Sequence, residues 1–223
     1  MTGIKVTVSE KFLSVCPQFD AAVITAKVHN SALNPRLWQE IDAESRRIKE
    51  TYTLPDINKR EAIRSTRAAY KALGKDPNRY RPSAEALCRR IVKGMELYRI
   101  STLVDLINLV SMHTGFSIGG FDAEKINGDL ILGVGNANEE FQGIGRGLLN
   151  IEGLPVYRDR TGPIGTPTSD EERTKLTLAT REILIIINAY SGGEQLGNAV
   201  RLTGCLLTEY ADAKELSYTE IFK

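Results

Sequence analysis

The sequence has little of what several familiar chemistries are built from. Its three cysteines, Cys16, Cys88 and Cys205, stand far apart with no Cys-x-x-Cys spacing. That odd, scattered set implies neither a disulfide framework nor a thiolate zinc site. The two histidines, His29 and His113, are too few for a multi-histidine metal centre. No apolar run nears the roughly 18 residues that span a bilayer. The longest such peak is the short stretch Ile183-Leu184-Ile185-Ile186-Ile187. The first residues lack the apolar core of a secretory leader, so a cytoplasmic protein without membrane contact is expected. Gly-x-x-x-x-Gly-Lys-Ser/Thr, His-Glu-x-x-His and Gly-x-Ser-x-Gly are all missing. P-loop, zincin and nucleophile-elbow chemistries therefore have no foothold. Neither a cofactor nor a metal is expected.

What remains is an ordinary globular composition. The chain has 223 residues, of which 42% are hydrophobic and 26% charged. That is enough to bury a sizeable core. The net charge of +1 hides an asymmetry. Between Arg36 and Arg99 there are 16 Lys/Arg against 9 Asp/Glu, and the remainder is acidic. Such a segment is either a nucleic-acid-facing half or a solvated helix surface.

Periodicity outlines the elements. Ile4–Val8 and Asp20–Val28 read as strands. Asn34-Pro35 opens a helix, with Asn34 as cap and Pro35 in the first turn. A second helix is expected from about Pro55 to Leu73, stopped by Gly74. It carries a basic stripe, Arg60, Arg64, Arg67 and Lys71, and 75–81 reads as a linker. Pro82–Gly94 is a third helix, with Arg89 and Arg90. Ser101–His113 is apolar almost all round, which predicts burial. From Gly115 onward, closely spaced glycines punctuate short apolar runs, the pattern of short strands and tight turns. Glu182–Tyr190 is a strand with both faces covered, and Glu194–Tyr210 a closing helix. No internal repeat is visible. Helices early, strands later and a final helix give an α+β class in one domain of layered sheets packed with helices.

Three places carry polar groups in an apolar context. The buried helix has a polar line, Asp105, Asn108 and Ser111. Such a line either satisfies neighbouring backbone or faces a cavity. Thr102-x-x-Asp105 also fits a capping box. Thr166-Pro167-Thr168-Ser169-Asp170 is a hydroxyl and carboxylate cluster that either lines a pocket or caps a helix at Ser169. Gly143-Ile144-Gly145-Arg146-Gly147 is a flexible hairpin or a phosphate-cradling loop. His113 closes the buried helix as a cap or a substrate group.

Arg81-Pro82-Ser83, the run Tyr98–Ser111, Gly115-Phe116-Ser117-Ile118-Gly119-Gly120-Phe121-Asp122 and the Thr180–Tyr190 strand resemble, in this order, the B-three/B-four editing module of the phenylalanyl-tRNA synthetase β chain. The resemblance covers about the C-terminal two-thirds, residues 81–223, with strands and basic helices over 1–80. It implies a cavity between a sheet and the helix bearing Asn108, which matches the module's pocket asparagine, with Asp105 as the helix aspartate. It departs where the family has threonine (Ile107 here), histidine (Gly119 here) and a glutamate that reads tyrosine (no acid at Ile186–Asn188). The fold therefore carries over better than the substrate. Without aminoacylation motifs, ligase activity is not expected of this chain.

The resemblance implies an aminoacyl-tRNA partner and ester hydrolysis by a positioned water. Asn108, Ser111 and the amides at Gly119 would act on the ester. Asp105, His113, Gly120, Thr166, Ser169, Asp170 and Asn188 would contact substrate. Arg60, Arg64, Arg67, Lys71, Arg89 and Arg90 would meet RNA phosphates. The alternatives are a binder of a free amino acid or related metabolite, and a protein-interaction module built on helices Asn34–Leu73.

Overall fold

The computed structural model describes residues 3–221. The central sheet has the order β10-β2-β9-β3, formed by Lys214–Ile221, Asp20–Lys27, Glu182–Ala189 and Ser117–Asp122. All its pairings are antiparallel. A second sheet, β1-β4-β7-β8, is formed by Val6–Val8, Leu130–Val134, Pro155–Arg158 and Pro163–Gly165. A short hairpin, β5 (Gln142–Gly143) with β6 (Gly147–Leu148), stands apart from both.

β9 lies inside the central sheet and is apolar along its length. Alternation sends Ile183, Ile185 and Ile187 to one face and Leu184 and Ile186 to the other. The first set packs with the helices and the second with the other sheet. This explains why the strand reads as one continuous apolar run. The result is three layers: helices, central sheet, second sheet. β2 pairs with β9 over eight residues, so the N-terminal segment forms part of the core.

The helical layer contains α2 (Pro35–Thr51), α6 (Thr102–Thr114) and α7 (Leu196–Ala211), with α5 (Ser83–Val92) beside α6. Asn34 caps α2 as expected, accepting from Arg36 N at 3.1 Å and Leu37 N at 3.2 Å. The helix expected over residues 55–73 is two pieces, α3 (Leu54–Ile57) and α4 (Glu61–Ala72). Asn58–Arg60 separate them, because the Arg60 side chain is drawn inward. The supposed linker is packed: Lys75 is buried and donates to the carbonyls of Asn150 and Glu152. Short α1 (Glu10–Val15) and the terminal strand β10 were not anticipated.

α6 is buried on nearly all sides, so neither water nor its own turns can satisfy both of its ends. Distant residues do so. At the N-terminus, Asn30 Oδ1 accepts from Leu103 N at 3.1 Å, and Ser31 O accepts from Thr102 N at 2.8 Å. At the C-terminus, the Arg60 guanidinium donates to Met112 O at 2.8 Å and to His113 O at 2.7 Å. Gly115 then closes the helix at φ 85°, a left-handed conformation that favours glycine.

Ile185 is fully buried at the sheet–helix interface. Ile185→Ala should cost about 2–5 kcal/mol. Urea unfolding would report it as a lower midpoint at unchanged slope, and a loss under 1 kcal/mol would contradict this packing.

Candidate active site

A cavity of about 400 Å³ opens between α6 and β3, the edge strand of the central sheet. α6 contributes Val104, Ile107, Asn108 and Ser111. The opposite wall holds Gly120, Thr166, Ser169 and Asp170, and Ile144 of the β5–β6 turn stands at the mouth. The polar line of α6 therefore divides. Asn108 and Ser111 face the cavity, one turn apart. Asp105 does not line it. Its carboxylate accepts from Trp38 Nε1 at 2.8 Å and from Ile100 N at 3.1 Å. Burial raises its pKa, against these donors. It is therefore a structural group and not the expected substrate contact, and its route is not a capping box with Thr102: Thr102 Oγ1 bonds Ser31 Oγ at 2.7 Å.

Three glycines shape the far wall. A Cβ on Gly119 would sit 2.7 Å from the Phe121 ring, and one on Gly165 would sit 2.6 Å from it. A Cβ on Gly120 would meet Ile107 Cδ1 at 2.4 Å. Their bare backbones let Phe121 and Ile107 close in from opposite faces. The Asp170 carboxyl fills the remaining space, 2.9 Å from where the Gly165 Cβ would lie. Its single hydrogen bond is a long one, from Gly120 N at 3.3 Å. Burial pushes its pKa up to about 7, opposed only by that N–H.

The loop before Asp170 is a turn, not the start of a helix. Thr166 Oγ1 accepts from Thr168 N and Ser169 N, both at 3.1 Å, and donates to Ser169 O at 3.0 Å. This local network replaces the expected cap at Ser169. The short 3-10 turn begins only at Glu172. Thr168 is held from below by the buried Tyr70 hydroxyl at 2.9 Å. The Thr166 hydroxyl is thus occupied in shaping the wall. Ser111 Oγ donates to Phe116 O at 2.7 Å, leaving only its lone pairs toward the cavity.

Two further residues expected at the site lie elsewhere. Asn188 is buried between the sheets, accepting from Tyr157 OH at 2.7 Å and donating to Ser117 O at 3.0 Å. His113 is half exposed and lies 3.4 Å from Glu44 Oε2. Burial works to raise the Glu44 pKa, but Arg47 and His113 outweigh it and hold it at about 2, a firmly ionised acid. His113 borders a separate polar groove of about 540 Å³ with Lys59, Glu61 and Gln195. Gly119 lies beside the cavity, turned toward Phe121. The N–H of Gly120, expected to contact substrate, is engaged by Asp170.

The basic stripe is also dismantled. Arg60 holds the end of α6, and Arg67 pairs with buried Glu85 at 2.8 Å. Arg89 donates to Leu54 O at 3.2 Å, and Arg90 donates to Glu96 O and lies over the Tyr98 ring. Arg64 and Lys71 remain exposed on α4. Cavity residues not anticipated are Ser83, Ile100, Ile118, Lys175 and Leu176. Of these, Ser83, Ile100 and Ile118 lay within the motifs that carry the resemblance, while Lys175 and Leu176 did not. Among the described residues, no group of three or more His, Cys, Asp or Glu is placed to hold a metal ion. No helix there is long and apolar enough to cross a membrane.

Residues 65–203, which carry every wall of this cavity, match the B3/4 domain. The chain belongs to the B3/4 domain family. The fold is similar to a solved structure, an N-terminal fragment of the phenylalanyl-tRNA synthetase beta-subunit from Pyrococcus horikoshii. That fragment is 16% identical with a TM-score of 0.51, over 100% of this chain and 55% of that one. At this identity the likeness shows the fold alone. No curated protein matches the sequence.

The raised Asp170 pKa fixes a sign. Its folded-state value lies above that of an unfolded aspartate, so its contribution to stability is full below about pH 4 and is lost as pH rises through about 7. Asp170→Asn should therefore gain on the wild type between pH 4 and pH 8, by on the order of 2 kcal/mol. Urea unfolding at both pH values checks it, and an equal gap at both would mean the carboxyl titrates normally. Gly165→Ala should cost about 1–3 kcal/mol through overpacking against Phe121. Adding Phe121→Leu should recover part of that loss.

Proposed function

We propose that the cavity receives the aminoacyl end of an aminoacyl-tRNA and hydrolyses the ester of a mischarged one in trans. The carrying observation is the pairing of Asn108 and Ser111 on α6 with Asp170 across a cavity in a B3/4 domain. The relative named above is part of a tRNA synthetase, which supports a tRNA partner. A water accepted by Ser111 and oriented by the Asn108 amide would add its oxygen to the acyl carbon. The ester C–O bond then breaks, and the proton passes to the departing ribose oxygen. Gly120 N–H is taken, so the developing oxyanion needs another donor. Gly120 directs its N–H off the sheet edge, and the two-residue alternation of β3 directs that of Ile118 the same way. Holding water and ester together is the main catalytic contribution of such a site.

Nothing in this reading selects tyrosine, because β9 carries no acid facing the cavity. The specificity belongs to the walls described above. A second reading, a binder of a free amino acid or related metabolite, is favoured by the four arginines whose donors are already engaged. Both readings use the same cavity.

Deacylation of a panel of mischarged tRNAs separates them. One pair should be hydrolysed, and Asn108→Ala should slow it by about 10²-fold. No hydrolysis at high protein concentration, together with a thermal shift on adding a free amino acid, would replace the editing reading with the second.

A further inference from the structure

The walls of the cavity specify more than its presence. Apart from Ser83, Asn108, Ser111, the Thr166–Asp170 turn and Lys175, the side chains facing it are aliphatic: Val104, Ile107, Ile118 and Leu176 among them. One carboxyl is set among them, and its only partner is a single long N–H bond. A carboxylate can accept several hydrogen bonds, so Asp170 has acceptor capacity beyond the one protein N–H that reaches it among the described residues. A buried ionised group in that condition is costly until a donor, best of all a cation, reaches it. Lys175 does not meet this need. It stands at the cavity and pairs with Glu172.

An aminoacyl group always brings one cation, its α-ammonium, whatever its side chain. We propose that Asp170 anchors the α-ammonium of an aliphatic aminoacyl group, whose side chain lies against Ile107, Ile118 and Leu176. The proposal rests on the reading that the cavity takes an aminoacyl group, and it names the class. The reverse placement, with a side-chain hydroxyl or cation on Asp170, would leave the ammonium only neutral acceptors such as the Asn108 and Ser111 oxygens, with no counter-charge. An N-acylated amino acid has no ammonium and should be refused.

The proposal carries a proton balance. Below pH 7 much of Asp170 holds a proton, which an arriving ammonium must displace. The elements packed around it offer no competing titration. β3 and β8 present glycines, α6 presents Asn108 and Ser111, Arg146 of the hairpin is exposed, and Lys175 is matched by Glu172. Affinity should therefore fall by up to about tenfold per pH unit below 7, with proton release on binding.

Calorimetry of the full chain with leucinamide and N-acetylleucinamide, at pH 6 and pH 8, is the test. Leucinamide should bind at least tenfold more tightly than its N-acetyl derivative, and should release a proton at pH 6 when measured in two buffers of different ionisation enthalpy. Asp170→Asn, which keeps shape and removes charge, should abolish the preference and the proton release while far-ultraviolet circular dichroism stays unchanged. Equal affinity for the two compounds overturns the proposal, as does no binding of either, or a preference that survives in Asp170→Asn. Tighter binding of argininamide or tyrosinamide through Asp170 also overturns it, by placing a side chain on the carboxyl. Leucinamide binding without deacylation of any tRNA supports the anchor while removing the editing reading. Deacylation of N-acetylated and free aminoacyl-tRNA at equal rates does the opposite.

Discussion

The structure depends on satisfying both ends of one buried helix. α6 is surrounded by α2, α5, α7 and the central sheet, so its terminal N–H and C=O groups lack the water that serves a surface helix. Asn30 and Ser31 supply one end and Arg60 the other, from segments far away in sequence. Those contacts fix the position of α6 along its axis, and with it the heights of Asn108 and Ser111 above the sheet. Trp38 adds a lateral tie through Asp105. The cavity is the space left between a helix held this way and an edge strand stripped of side chains at Gly119 and Gly120.

The second determinant is the glycine-lined wall. Phe121 reaches across Gly119 and Gly165, and Asp170 occupies what space remains. An acid so placed is half-buried, shielded by its neighbours' shape rather than by depth in the core. The Thr166 turn holds it there, and Tyr70 holds the turn through Thr168. The chain thus links the second core beneath the sheet to the chemistry above it.

Much of the fold was legible because its signals are local. The unbroken apolar run of β9 demanded cover on both faces, and the all-round apolar α6 demanded burial. Asn34-Pro35 marked a helix start that the structure places as expected. The site was legible only in part, for a physical reason. Polar residues on buried elements either face a cavity or satisfy a partner, and spacing does not separate the two. Asn108 and Ser111 fell on the first side, Asp105 and Asn188 on the second. Asp170 sat before two glutamates, the usual sequence of a helix start, until Thr166 closed a turn instead. The arginine stripe shows the same limit: periodicity put its members on one helix, but their acceptors come from α5, α6 and the loop after α4.

That stripe has a consequence for how a polyanion meets this protein. Arg60, Arg89 and Arg90 donate to neutral carbonyl oxygens, so they keep their positive charge while part of their donor set is committed. Only Arg67 is also neutralised, by Glu85. A guanidinium with some donors already engaged acts at a distance with its full charge but has fewer left for a bidentate fork. Such a surface steers and accelerates encounter, in a manner that fades with ionic strength, and contributes little to the lifetime of the complex. Direct contacts to an anion are then left chiefly to Arg64 and Lys71, the stripe members exposed on α4.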